Sequence, residues 1–258
     1  MAITALKNAR SVRDQVSKEE WQKRVDLAAC YRLVHLHGMD EMIANHISTQ
    51  VPGADGVFLL NPYGMLYEQM HASCFIKVDL DGNVLFNPTE LDINKAGFVI
   101  HSAIHKARHD VDCVIHTHTL AGMAVSAMKM GLLPIAQTAM RFIDIAYHEY
   151  EGPAIRMEEQ ERLVASLGQR EVMILRNHGL LATGASIPEA FNNIFRLERA
   201  CQLQVMTLSC NAELSLPQPA VVEETNHLFK PGVRRRLGLL EWPALLRKLD
   251  SIDPSFRD

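Results

Sequence analysis

The sequence predicts an α/β domain whose mixed or antiparallel sheet is flanked by helices. Three observations carry this prediction. Apolar residues recur at helical spacing in several separated stretches. The region from about 43 to 87 breaks into short β-branched and aromatic runs. Beyond it, strand-like and helix-like patterns alternate.

Residues 1–17 read as a polar lead-in. Ser17 with Glu20 forms a Ser-x-x-Glu capping pattern that opens a helix through about His37, and Gly38 suits the position just past its end. HISTQV, VFLLN and FIKVDLDGNVLF then read as strands, with Asp81-Gly82 as a hairpin turn. Residues 95 to 108 return to helical spacing through Phe98, Ile100, Ala103 and Ile104. CVIHTH is a strand and LAGMAVSAM a helix that Gly131 ends. Residues 158 to 168 form a helix, EVMILRN a buried strand, and LLATG a further strand closed at Gly184. A long helix from Ser186 to about Cys210 carries Pro188 in its first turn. The last stretch holds the run Arg234-Arg235-Arg236 and an amphipathic helix, WPALLRKL. The expected organisation is a lead-in at 1–17, a main domain at 18–211, and an extension at 212–258 that packs on its own or an adjacent subunit.

Bulk properties narrow the function classes. A net charge of −4 argues against a nucleic-acid or anionic-membrane partner. No apolar run approaches the ~18 residues of a membrane span, and MAITALKNARSVRDQ lacks the apolar core of a secretory signal. The five cysteines, Cys30, Cys74, Cys113, Cys201 and Cys210, are scattered without a CxxC pair, as reduced thiols in a cytoplasmic protein would be. No G-x-G-x-x-G fingerprint supports a nucleotide cofactor. The three arginines read as a solvated or subunit-bridging face.

Twelve histidines stand out. His116 and His118, two apart at a strand end, project to the same face, where two imidazoles can share one ion. His178 in RNHGLL, also following an apolar strand, is the natural third ligand. Spacing alone leaves two readings open: a three-histidine metal centre, with zinc the default and manganese, iron or cobalt compatible, or ordinary strand-end histidines. A rival group, His101, His105 and His109, shares one side of a helix. Its neighbours Lys106, Arg108 and Asp110 suggest a wet polar face with one partly buried member, His101.

Taken together, ANHIS (44–48), LNPYGMLYEQM (60–70), the segment from INKAGF to GLLPI (93–135), IAYHEY (145–150) and LRNHGLLATG (175–184) resemble the class II aldolase/adducin family, in family order over roughly residues 20 to 210. The resemblance implies a single three-layer αβα domain with a central, mostly antiparallel sheet, and a homotetramer with active sites at subunit interfaces. It implies that His116, His118 and His178 bind a divalent metal, most simply zinc, that stabilises an enediolate on a small hydroxy-carbonyl or carboxylated substrate. Asn45 and Gly64 match substrate-loop positions.

The chain departs from the aldolases at one place. Their acid/base glutamate maps to Gly97, and two phosphate-binding serines map to Lys95 and Ala96. The N-K-A-G-F version, MKMGLLPI and AYHEY are similar to the adducin branch. A lyase would therefore need another base, from Lys95, Glu90, Asp92, Tyr147 or Tyr150. Lys95 could instead pair with a substrate carboxylate or be a solvated helix end. Sugar-phosphate cleavage is expected to be weak or absent. The alternatives are a metal- and ligand-binding protein without catalysis, and an adducin-like interaction protein; adducin's basic, disordered tail is not expected here, which weakens the cytoskeletal reading.

Overall fold

A computed structural model describes residues 11–152, 158–230, 232–233 and 235–258. Its elements run in this order: helix α1 (Lys18–Leu36), strands β1 (His46–Gln50), β2 (Val57–Leu60), β3 (Ile76–Asp79) and β4 (Val84–Phe86), helix α2 (Lys95–Ala107), strand β5 (Cys113–Thr117), helices α3 (Leu120–Ser126) and α4 (Gln137–Met140), strand β6 (Ala146–His148), helix α5 (Glu159–Leu167), strands β7 (Val172–Leu175) and β8 (Gly179–Gly184), and helices α6 (Ile187–Ser209), α7 (Pro219–Phe229) and α8 (Trp242–Ile252). The strands form one eight-stranded sheet in the order β4-β3-β2-β1-β5-β8-β7-β6. Every neighbouring pair is antiparallel except β6 with β7.

The start of α1 is set by Ser17, whose hydroxyl accepts the Glu20 amide hydrogen at 3.0 Å. Its end passes into Gly38 at φ +63°, a backbone region that glycine enters without a Cβ penalty. Pro188 sits in the first turn of α6. There the missing amide hydrogen costs nothing, because no carbonyl awaits it.

Strand alternation divides the core into two faces. Ile47, Leu59, Cys113, Ile115, Ile174, Leu180 and Ala182 pack with α1 and α6 on one side. Val114, Met173, Leu175 and Leu181 pack with Ile100 and Ile104 of α2 and Leu163 and Leu167 of α5 on the other. The result is a helix–sheet–helix sandwich with a mostly antiparallel sheet. α8 and the turn at Pro254–Arg257 rest on α1 of the same chain.

Two expectations change, and one strand is added. The helix from LAGMAVSAM stops at Ser126 rather than near Gly131, and IAYHEY contributes an edge strand, Ala146–His148, that its short apolar content hides. The larger correction concerns His101 and His105. Both are buried, at 0% and 4% exposure, and so is Arg108, whereas His109 lies beyond the end of α2. The helix face expected to be wet is held inside by hydrogen bonds from β1. Arg235 pairs with Glu241 and Arg236 with Glu189 within the chain, while Arg234 lies outside the described residues.

Candidate metal centre and its surroundings

Strand β5 delivers His116 to the α2 side of the sheet, and His118 follows two residues later with the same orientation. The turn between β7 and β8 brings in His178, with Asn177 at φ +54° making the reversal. Gly179 lets this turn close against β5. A Cβ there would lie 2.4 Å from the Thr117 carbonyl oxygen and 3.1 Å from the His118 ring. The three imidazoles gather so that one nitrogen from each lies within 4.8 Å of the others. Ring centroids are 4.7 to 4.8 Å apart.

The outer nitrogens decide what the inner ones can do. His116 Nδ1 lies 2.9 Å from the Leu180 carbonyl oxygen. A carbonyl only accepts, so the proton sits on Nδ1 and Nε2 keeps a lone pair. His118 Nδ1 lies 2.8 Å from Glu41 Oε2, and the carboxylate fixes the same tautomer. The two Nε2 lone pairs then face each other across 2.9 Å. A cation between them converts that repulsion into attraction, and with His178 the donor set suits a borderline divalent ion such as zinc. Burial, then the neighbouring imidazoles, push the His116 pKa well below its usual value and that of His178 down to about 4. Both rings are therefore neutral near pH 7, the form that donates a lone pair.

Asn45, at φ +72° and 2% exposed, belongs to this centre. Its Oδ1 accepts the His118 amide hydrogen at 3.3 Å, while its buried Nδ2 has no hydrogen-bond partner. An orphaned amide donor beside the histidines is what a substrate oxygen would meet. Thr119 caps α3 and donates to the buried Glu198, anchoring the chain just past His118.

The other expected site residues scatter. Tyr150, half exposed, holds its ring 6.2 Å from His178. Tyr147 is committed elsewhere: its hydroxyl accepts the Leu132 amide hydrogen at 2.9 Å, and the Arg176 guanidinium covers its ring at 4.2 Å. Lys95 is exposed at the first position of α2. Glu90 and Asp92 lie exposed in the preceding loop. Gly64, at φ +120°, is in a turn packed on Leu91.

Two residues of the centre, Glu41 and His46, are not singled out by the sequence pattern. His46 opens β1, and its register places it directly across from His116. The rings are 5.2 Å apart. His46 Nδ1 meets His101 Nε2 at 2.8 Å, and Ser48 Oγ lies 2.5 Å from His101 Nδ1 and 2.7 Å from His105 Nε2. Gly97 is what gives His46 room, since a Cβ there would lie 2.4 Å from its Cδ2 and 3.0 Å from its Nε2. The signal was present in ANHIS, but only the antiparallel pairing of β1 with β5 turns it into a neighbour of His116.

The profile of the Class II Aldolase and Adducin N-terminal domain matches residues 25–205. The chain belongs to this family. It is 48% identical to an aldolase II superfamily protein from Pseudomonas syringae, whose crystal structure superposes with a TM-score of 0.90 over 96% of this chain and 100% of that one. An L-fuculose 1-phosphate aldolase from Glaciozyma antarctica is 26% identical, with a TM-score of 0.82 and 93% of each chain covered. Alpha-adducin from Mus musculus is 40% identical over 93% of this chain but only 35% of its own length. The family and the three-layer fold are thus established together, and class II aldolases as a family typically use a divalent metal.

Proposed function

We propose that this chain is a divalent-metal-dependent lyase acting on a small hydroxy-carbonyl or carboxylated substrate. The observation that carries the reading is the pair of opposed Nε2 lone pairs on His116 and His118, with His178 as the third donor. Zinc is the expected ion. Bound there, a divalent cation would polarise the substrate's oxygen atoms and stabilise negative charge developing beside a breaking carbon–carbon bond.

The chain's own residues supply the rest. Asn45 Nδ2 donates a hydrogen bond to a substrate oxygen. Glu41 and the Leu180 carbonyl hold His118 and His116 in the donating tautomer. Gly97 offers no proton-transfer group, and the space beside it is taken by His46. His46 Nδ1 is bound to His101, so its Nε2 is the atom placed to move a proton. Tyr150 is the second candidate, by its closeness to His178. Lys95, exposed at the mouth of α2, is suited to meeting a substrate carboxylate. Leu120 and Met42, 85% and 74% exposed beside these residues, support a homotetramer in which another copy covers the centre. A cytoplasmic setting fits the free cysteines.

The likeness to alpha-adducin favours a second reading, a metal-binding interaction domain without catalysis. Exchange of carbon-bound hydrogen separates the two. Zinc-loaded protein in D2O should wash deuterium into dihydroxyacetone, followed by proton NMR. His46→Gln should lose at least tenfold of that rate while keeping its metal. Cleavage of a ketose 1-phosphate should remain weak. Absence of exchange in the wild type favours the adducin-like reading, and full exchange by His46→Gln removes His46 from the chemistry.

A further inference from the structure

A second polar cleft lies at the far end of the sheet. It has a volume of about 240 Å3, and Arg141, Arg196 and Asn192 line it beneath Phe229 and Leu237. The Asn193 side chain donates to the Thr183 carbonyl at the closing end of β8, whereas His178 precedes its opening residue. Five residues of strand separate the two ends, roughly 16 Å.

The charges in this cleft are unbalanced. The Arg141 guanidinium lies near the Phe142 and Phe229 rings, at 5.0 and 5.5 Å, and makes one hydrogen bond, to Asn193 Oδ1 at 3.0 Å. Arg196 is exposed and faces Arg141 as a like charge. Burial, then this repulsion, pull the Arg141 pKa down to about 10. Among the described residues no carboxylate forms an ion pair with either arginine, and the undescribed ones contain no Asp or Glu. Glu241, on the cleft wall, is engaged by Arg235 and by the Gly238 amide. Glu171, whose pKa burial raises, and Glu241 offset part of the Arg141 charge from a distance, without a direct ion pair. Asn192 adds a buried Nδ2 with no hydrogen-bond partner. Two guanidiniums without an ion-paired carboxylate and an orphaned amide around one cleft form a set of donors open to a further acceptor.

We propose that this cleft binds a phosphoryl group, carried by a small phosphate monoester or by inorganic phosphate. The donors come from the end of α4 and from α6, two such cations suit a dianion better than a singly charged carboxylate, and the guanidinium fork matches phosphate oxygens. Phe229 belongs to α7, so an anion held by Arg141 also tightens α7 against the body of the domain.

The test titrates the full chain with inorganic phosphate, followed by 31P NMR and by the thermal midpoint, against sodium chloride at equal ionic strength. Saturable binding in the millimolar range and a raised midpoint are expected. Arg196→Gln should weaken binding at least tenfold. Arg141→Lys, which keeps the charge and loses the fork, should weaken it too. Arg170→Gln, whose arginine is paired with Asp144, should bind normally. His118→Ala should bind as the wild type does. Absence of saturable binding, binding unaffected by Arg196→Gln, or binding lost in His118→Ala would overturn the proposal. Equal saturation by malonate would show a general carboxylate-tolerant anion site and overturn the phosphoryl assignment.

Discussion

At Gly97 a single missing Cβ links packing to chemistry. Its hydrogen is the only group that fits beside the His46 ring, because the Cβ of any other residue would fall 2.4 Å from His46 Cδ2. The resemblance to the aldolases implies that Gly97 stands where they carry a glutamate. The structure adds that the space is refilled by an imidazole which a partner, His101, orients. Gly97→Ala should therefore displace His46 or strain α2, costing about 1–3 kcal/mol as overpacking of a filled site does. A thermal or denaturant midpoint measures this, and an unchanged midpoint would mean that His46 moves freely. The metal-ligand candidates were legible as residues because the H-x-H spacing and the third strand-end histidine survive in one dimension. His46 and Glu41 were not. Their roles depend on strand register and on a loop with Met42 and Asn45 at positive φ, neither of which leaves a periodic pattern.

At the level of elements, β1 and α2 are joined by buried imidazoles instead of aliphatic side chains. Ser48 bridges His101 and His105, whose rings lie among apolar neighbours such as Phe58. The helical spacing of His101 and His105 is legible in the sequence, whereas Lys106 and Arg108 suggest a wet face that the structure does not have. The side chain of Arg108 turns inward to the Gly168 and Arg170 carbonyls, so its charge does not mark a surface. The buried rings make stability depend on pH. Burial holds His105 at about 4, below its ordinary 6.5, and pushes His101 well below it. The unfolded chain takes up these protons first as pH falls. Stability is thus complete above about pH 6.5 and is lost progressively toward pH 4. By linkage His105 alone accounts for about 2 kcal/mol at pH 5. Denaturant unfolding at pH 7.5, 6 and 5 should show a falling midpoint, steepest below 6.5. A flat profile over that range would contradict the burial of these rings.

The whole molecule holds the centre between two helix layers and ties its C-terminal segment back to the first helix. The Trp242 indole donates to Asp26 at 2.9 Å, and Phe256 is fully buried, its carbonyl accepting from Ala72. Phe256→Ala should cost about 3–5 kcal/mol through transfer and cavity effects, and a loss under 1 kcal/mol would show that this segment packs loosely. The amphipathic WPALLRKL helix was readable from its apolar spacing. Its docking site on α1 was not, because long-range contacts leave no local mark. The same division applies to the site: three histidines from two hairpin-linked regions matter together only because the sheet places β5 beside β8. Metal analysis of chelator-free purified protein tests that convergence most directly. One equivalent of divalent ion per chain, with His118→Ala losing it, is the predicted result. Less than a tenth of an equivalent after zinc loading, or an unchanged content in His118→Ala, would contradict it.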